Sequence, residues 1–311
     1  MAPHTEPQHD VVVSEELFAP VGRGIELCYQ TFGDPEDEPV LLVMGLGGPM
    51  TWWDPELCRM IAARGRYVIR YDNRDTGRST RLKDQRTSRT ALVRSFAGQS
   101  VKPPYTLEDM ADDGFGLLDH LGLEAGHVVG VSMGGMIAQT MAVARPERVR
   151  SLTSIMSTTG KRSVGWQHPR LLPMLIAPRG RGREAYAATS VRMGELIGSP
   201  AFPVPREEAL ARAGETFDRG VSASGVLRQM QAILAAPNRG PRLRGLRIPA
   251  TVVHGSADRM VHVSGGRATA RAIPGAELLV VDGMGHDLPR DLYPTFTDAV
   301  DRTVARAVRP G

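Results

Sequence analysis

The chain has 311 residues, 41% of them hydrophobic and 23% charged, with a mean hydropathy of -0.20; this balance excludes wholesale disorder and fits a globular protein with a sizeable core. Its 38 Lys and Arg against 34 Asp and Glu leave a net charge of +4. The densest basic runs, Arg179 to Arg183 and Arg239 to Arg247, are broken by Gly and Pro and lack interleaved aromatics, so they read as solvated loops and not as a nucleic-acid surface.

The leader from Met1 to Asp10 is polar and lacks the apolar centre of a signal peptide, and no run approaches the roughly 18 apolar residues of a membrane helix. Val11 to Phe18 and Gly24 to Phe32 then read as a hairpin around Pro20, Gly22 and Gly24. Val40 to Met44 is a short apolar strand that ends in Gly45-Leu46-Gly47-Gly48. A helix over Pro55 to Arg64 and a strand over Tyr67 to Tyr71 follow. Thr106, with Asp109 three residues on, caps a helix that Gly122 stops. His127 to Val131, Val149 to Met156, Ala250 to His254 and Glu277 to Val281 complete the strands, and Met133 to Ala144 is a helix between two of them. Strands alternating with helices predict an α/β fold with a mostly parallel, doubly wound sheet.

From about Thr158 to Gly245 the alternation stops. Helical segments at Leu171 to Ile176, Glu184 to Ile197, Arg206 to Phe217 and Val226 to Leu234 follow one another without a strand. The organisation expected is therefore a core of residues 1–157 and 246–311 with a helical cap of residues 158–245. Such a cap lies over the strand ends where open α/β sheets bind ligands.

Gly130-Val131-Ser132-Met133-Gly134 is a GxSxG motif with a strand before it and a helix after it. Glycines are needed on both sides of so sharp a turn, which leaves the Ser132 hydroxyl exposed above the sheet. A serine hydroxyl needs a base within reach and a third group to fix the base's tautomer. His286, glycine-flanked and just beyond the last strand, is the candidate base. Asp258, in the turn after Ala250 to His254, is the candidate carboxylate, with Asp282 and Asp287 as rivals. His254 also ends a strand, but is expected to point into the fold. Stabilising a tetrahedral oxyanion takes two backbone N–H groups, and Met133 and Leu46 are the candidate donors. Trp52, Trp53 and Trp166 are the aromatic candidates for a pocket wall, though a buried pair is as often core. The run Asp72 to Ser79 reads as a turn held by Asp–Arg pairs and Asx bonds, in preference to a phosphate or substrate-carboxylate site.

The pieces MGLGG, YDNRDTGRST, VVGVSMGG, HGSAD and GMGH, in this order, resemble the α/β-hydrolase-fold esterases from about Val40 to Val300. The Met-Gly loop with its DNRDTGRST run is most similar to the actinomycete aclacinomycin-type methylesterases, which act on methyl esters of polyketide aglycones. The resemblance implies that Ser132 attacks, His286 is the base, Asp258 orients it, and Leu46 and Met133 form the oxyanion hole. One departure is Met44, where many members carry His, a change that alters loop packing and not the backbone donors.

The function expected is ester hydrolysis through an acyl-enzyme, on a small to medium apolar ester and without metal or other cofactor. The alternatives are a lactone or C–C bond hydrolase, a cofactor-free perhydrolase, and a ligand-binding protein that retains the triad. Two cysteines, Cys28 and Cys58, cannot build a disulfide framework. A cytoplasmic monomer or homodimer with no membrane partner is therefore expected.

Overall fold

The central apolar runs become strands buried on both faces, while the edge strands stay largely exposed. In the computed structural model, which describes residues 11–85, 87–96, 98–99, 101–171 and 182–308, eight strands form one sheet. They are β1 (Leu17–Gly22), β2 (Ile25–Phe32), β3 (Glu38–Val43), β4 (Arg66–Tyr71), β5 (Gly126–Val131), β6 (Val149–Ile155), β7 (Ala250–Gly255) and β8 (Glu277–Val281). The order across the sheet is β1-β2-β4-β3-β5-β6-β7-β8. The β1–β2 and β2–β4 pairs are antiparallel and every later pair is parallel. All six residues of β5 and all six of β7 are buried, as strands with helices on both faces must be.

The helices are α1 (Pro55–Ala62), α2 (Arg89–Phe96), α3 (Leu107–His120), α4 (Met133–Ala144), α5 (Arg183–Ile197), α6 (Arg206–Gly220), α7 (Ala223–Ala235), α8 (Gly240–Leu243), α9 (Ser264–Ala272) and α10 (Tyr293–Val308). The two-residue period of the strands sorts the core into two clusters. Leu41 and Val128 face Phe115 and Leu118 of α3 and Ile137 and Met141 of α4. Their neighbours Leu42 and Val129 face Leu57 and Ile61 of α1 and Phe296 and Val300 of α10. Thr106 and Asp109 cap α3 reciprocally, each side chain accepting from the other's backbone N–H.

The opening hairpin differs from the sequence reading. Pro20 and Gly22 lie within β1, and Gly22 pairs with Ile25, so Arg23-Gly24 is the loop. Both loop residues have positive φ, 53° and 72°, the backbone whose twist suits a two-residue hairpin. Pro20 is tolerated because β1 is an edge strand, with no further neighbour to miss its N–H. Of the expected strand upstream, Val13 keeps a single bridge to Phe32.

Between β6 and β7 the described residues hold α5 to α8 and a short 3-10 turn, Pro169–Leu171, with no strand. The helix expected over Leu171 to Ile176 lies, past Leu171, outside the described residues, as does most of the basic run Arg179 to Arg183. The other basic run is not wholly solvated. Arg239 is buried, donating to Gln139 Oε1 and the Thr158 carbonyl, and burial pulls its pKa down to about 10. Helix α2, which periodicity did not reveal, packs on α7. No helix among the described residues is long and apolar enough to cross a membrane.

Candidate active site

Only Ser132 separates β5 from α4, and that economy fixes its conformation. Ser132 has φ 56° and ψ -118°, a region that costs an L residue on the order of 1–3 kcal/mol and persists only where its surroundings impose it. The surroundings are close backbones. A Cβ on Gly130 would lie 2.2 Å from the Gly134 carbonyl oxygen, and one on Gly134 would lie 2.0 Å from the Val43 carbonyl oxygen. The strained peptide is tied down on both sides: Ser132 N donates to Ile155 O at 2.9 Å, and Ser132 O accepts from Ser157 Oγ at 2.7 Å.

The loops after β7 and β8 bring two partners to this serine. His286 Nε2 is 3.0 Å from Ser132 Oγ, and His286 Nδ1 is 2.8 Å from Asp258 Oδ2. An ionised carboxylate can only accept, so Nδ1 carries the ring proton and Nε2 is left to accept the serine's. Asp258 is itself fixed, its Oδ1 accepting the N–H groups of Met260 and Val261 at 2.9 and 2.8 Å. Burial alone would raise the Asp258 pKa, but the charge of His286 and hydrogen bonds from His254 and His286 hold it below the usual carboxylate value. The two rival carboxylates turn elsewhere, Asp282 to Ser256 and Asp287 to Ser199.

His254 does point into the fold. Fully buried, it donates from Nε2 to the Val261 carbonyl at 2.7 Å, and that nitrogen stands 3.4 Å from Asp258 Oδ2. Its Nδ1 has no hydrogen-bond partner among the described residues.

The loop after β3 passes close to Ser132: a Cβ on Gly45 would lie 3.3 Å from Ser132 Cβ and 3.8 Å from its Oγ. Leu46 follows directly. Met133 is the first residue of α4, so its N–H has no intrahelical acceptor. The loop's own bonds run from Gly48 N to Gly45 O at 3.2 Å, from Asn73 Nδ2 to Met44 O at 2.9 Å, and from Gly47 N to Gln229 Oε1 at 2.8 Å.

The three tryptophans have separate fates. Trp52 is half-exposed and donates to Thr216 Oγ1 of α6 at 3.0 Å, joining the loop after β3 to the helical insertion. Trp53 corrects the sequence reading. It is 1% exposed and packs with Phe32, Leu57 and Phe296 in the core, leaving no face for a ligand. Trp166 stacks on His262 with centroids 4.2 Å apart, half-exposed at the base of the insertion.

The Asp72 to Ser79 run is the expected turn, and its charges are consumed internally. Asp72 accepts from the N–H groups of Met50 and Arg78 and pairs with Arg219 at 2.7 Å. Arg74 grips Asp113 with two bonds of 2.6 Å, and Asp75 takes Arg228 of α7 at 2.8 and 2.6 Å together with the Tyr105 hydroxyl. No local sequence pattern marks the role of Arg228 or Gln229, since Arg228 meets a partner 153 positions away. The available signal is that Gln229 interrupts an apolar stripe of Gly225, Val226, Ala232 and Ile233 at helical spacing.

The sequence pattern of the family described as "alpha/beta hydrolase fold" matches residues 38–289, a span that includes Ser132, Asp258 and His286. A rhodomycin D methylesterase of Streptomyces sp. (strain C5) is 29% identical over 305 residues, covering 89% of this chain and 94% of that protein. Among solved structures, an enol-lactonase from Burkholderia xenovorans LB400 superposes with a TM-score of 0.72 at 23% identity, covering 93% of this chain and 100% of that one. A thermophilic esterase from Thermogutta terrifontis, malate bound, gives a TM-score of 0.70, also at 23% identity, over 95% of this chain and 100% of that one.

Proposed function

The chain belongs to the α/β-hydrolase-fold family, and from that premise we propose that it hydrolyses carboxylic esters through a serine-bound acyl intermediate. The observation that carries this reading is the line of hydrogen bonds from Ser132 through His286 to Asp258, at 3.0 and 2.8 Å. Attack by Ser132 Oγ on the ester carbonyl passes its proton to His286 Nε2, while Asp258 stabilises the imidazolium that results. The N–H groups of Leu46 and Met133 take up the charge on the tetrahedral oxygen. His286 then gives its proton to the departing alcohol, and a water activated by the same nitrogen releases the acid and restores Ser132.

Residues 158–245 form a cap in this reading, over a core of residues 1–157 and 246–311, and the cap selects the substrate. The likeness to a rhodomycin D methylesterase favours a polyketide methyl ester as the substrate class. The strained backbone of Ser132 supports a functional origin, because such conformations gather where geometry serves chemistry.

The test is hydrolysis of p-nitrophenyl acetate and butyrate, followed by a panel of polyketide methyl esters. Ser132→Ala is expected to lower kcat by roughly 10⁵- to 10⁶-fold with an unchanged circular dichroism spectrum. Substantial turnover retained by a folded Ser132→Ala protein, or none by the wild type on any ester of the panel, defeats the reading.

A further inference from the structure

We infer that Gln229, on helix α7 of the insertion, is a positioning residue for the Leu46 N–H, so that the insertion shapes the oxyanion hole itself as well as choosing what reaches it. The inference rests on the ester-hydrolase reading and extends it to a residue 97 positions downstream of the nucleophile.

Three consecutive peptide groups make up the loop beside Ser132. The middle one, Gly45–Leu46, carries the candidate donor, and its own carbonyl is occupied by Gly48 N–H at 3.2 Å. The peptide before it is held through Met44 O by Asn73 Nδ2 at 2.9 Å. The peptide after it is held through Gly47 N–H by Gln229 Oε1 at 2.8 Å. Both flanking peptides are thus pinned by buried side-chain amides, whereas Leu46 N–H meets no protein acceptor among the described residues. Such pinning is needed because the segment is glycine-rich and Gly47 sits at φ 65°, where the chain is permissive and can rotate a peptide plane at little cost.

Gln229 is built to hold one orientation. It is fully buried, and its Nε2 donates to Arg74 O at 2.8 Å and to Thr76 Oγ1 at 2.9 Å. Turning the amide over would set Nε2–H against Gly47 N–H and Oε1 against the Arg74 carbonyl, two repulsive contacts in place of two bonds. The helix beneath is equally fixed. Arg228 forks onto Asp75, and Val226 stands so close that a Cβ on Gly47 would lie 2.8 Å from its Cγ2. An oxyanion donor must sit within about 2.7–3.1 Å of where the charge develops, so a small rotation of the Leu46–Gly47 peptide carries over into rate.

The experiment is Gln229→Met, which keeps the side chain's length and removes all three bonds. Relative to a wild type already shown to hydrolyse esters through Ser132, kcat is expected to fall ~10- to 100-fold with KM within about 3-fold. Affinity for a trifluoromethyl ketone, which forms a hemiketal oxyanion on Ser132, should weaken in the same proportion, while a carboxylic-acid product inhibitor binds as before. Loss of packing alone would not link kcat to the ketone in this way. Unchanged kcat, or a change confined to KM, overturns the inference. Gln229→Glu keeps an acceptor for Gly47 N–H and should retain more activity than Gln229→Met. It also serves alone where the methionine variant does not fold: a ~10-fold or greater loss of kcat with the acceptor kept overturns the role of the Gly47 bond. A wild type without serine-dependent turnover would instead refute the ester-hydrolase reading, a result distinct from either variant's.

Discussion

Among the described residues the molecule holds two lines of serine, histidine and carboxylate, one at each end of the same sheet. At the carboxyl ends of the strands, Asp258 meets His286 Nδ1 at 2.8 Å and His286 Nε2 meets Ser132 at 3.0 Å. At the amino ends, Glu38 meets His127 Nε2 at 3.3 Å and His127 Nδ1 meets Ser151 Oγ at 2.8 Å. The hydrogen-bond logic is the same with the ring nitrogens exchanged, yet the two lines face opposite ways. In the first the carboxylate is fully buried and the serine stands at a strand end on a strained turn. In the second the carboxylate is 34% exposed and the serine is 1% exposed inside β6. A buried acid polarises the base and an accessible serine can meet a substrate; the reversed order can do neither. The two lines differ in which member is exposed and in the N–H groups without acceptors that stand beside Ser132, and on the ester-hydrolase reading those differences, more than the alignment, set the reactive line apart.

After the loss of Ser132 itself, the largest expected effect breaks the symmetry at the carboxylates. In Asp258→Asn the N–H groups of Met260 and Val261 claim the amide oxygen, so the amide NH₂ faces His286 Nδ1. The ring proton then moves to Nε2, where it opposes the serine hydroxyl, and kcat is expected to fall ~10⁴-fold. Glu38→Gln makes the matching change in the other line, a strand length or ~20 Å away, and should leave kcat within about 2-fold. Steady-state kinetics of the two variants side by side checks both; a comparable loss in Glu38→Gln would erase the distinction.

The next effect is on stability and follows from the histidine. Burial pulls the His127 pKa from 6.5 down to about 4, with Glu38 pulling the other way and Arg150 and Arg66 adding to the fall. Between those two values the unfolded chain binds a proton at position 127 that the folded chain refuses. Stability from this group is therefore fully present above about pH 6.5 and is lost as pH falls toward 4, by at most about 3.5 kcal/mol at ~1.4 kcal/mol per unit. Urea unfolding of the wild type and His127→Gln across that range should give curves that converge as the pH falls; parallel curves would mean that His127 is protonated in the folded protein.

Much of the first line was legible in the sequence and almost none of the second. Ser132 announces itself because a local constraint, close backbones at Gly130 and Gly134, writes glycines into adjacent positions. His286 and Asp258 sit at strand ends where strand signals point to them. Ser151 and His127 are single polar residues inside apolar runs, and only the pairing of β5 with β6 sets them opposite each other. The misreadings have similar causes. Trp53 carries the same letters as Trp52, and which one faces the core depends on the path of the loop. Gln229 acts through a bond spanning 182 positions, which no local pattern records. Pro20 looked like a turn residue until the sheet order made β1 an edge.

The smallest expected effect falls on the second serine. Ser151→Ala removes the hydroxyl that donates to His127 Nδ1 and leaves a buried acceptor unpaired, at a cost of about 1–2 kcal/mol. It opens little space, because β6 stays paired through its backbone. Turnover should not change, since Ser151 lies at the amino ends of the strands, a strand length or ~20 Å from Ser132. Ser132→Ala is the converse: its hydroxyl meets one ring nitrogen of the half-buried His286, and its strained backbone is held by Ile155 and Ser157 whatever the side chain. Thermal unfolding and ester hydrolysis measured on both variants should therefore separate, one losing melting temperature and keeping rate, the other losing rate and keeping melting temperature. A Ser151→Ala protein that lost rate in step with stability would mean that the two ends of the sheet are mechanically coupled through β5 and β6, and that the amino-end line works as a strut for the reactive one.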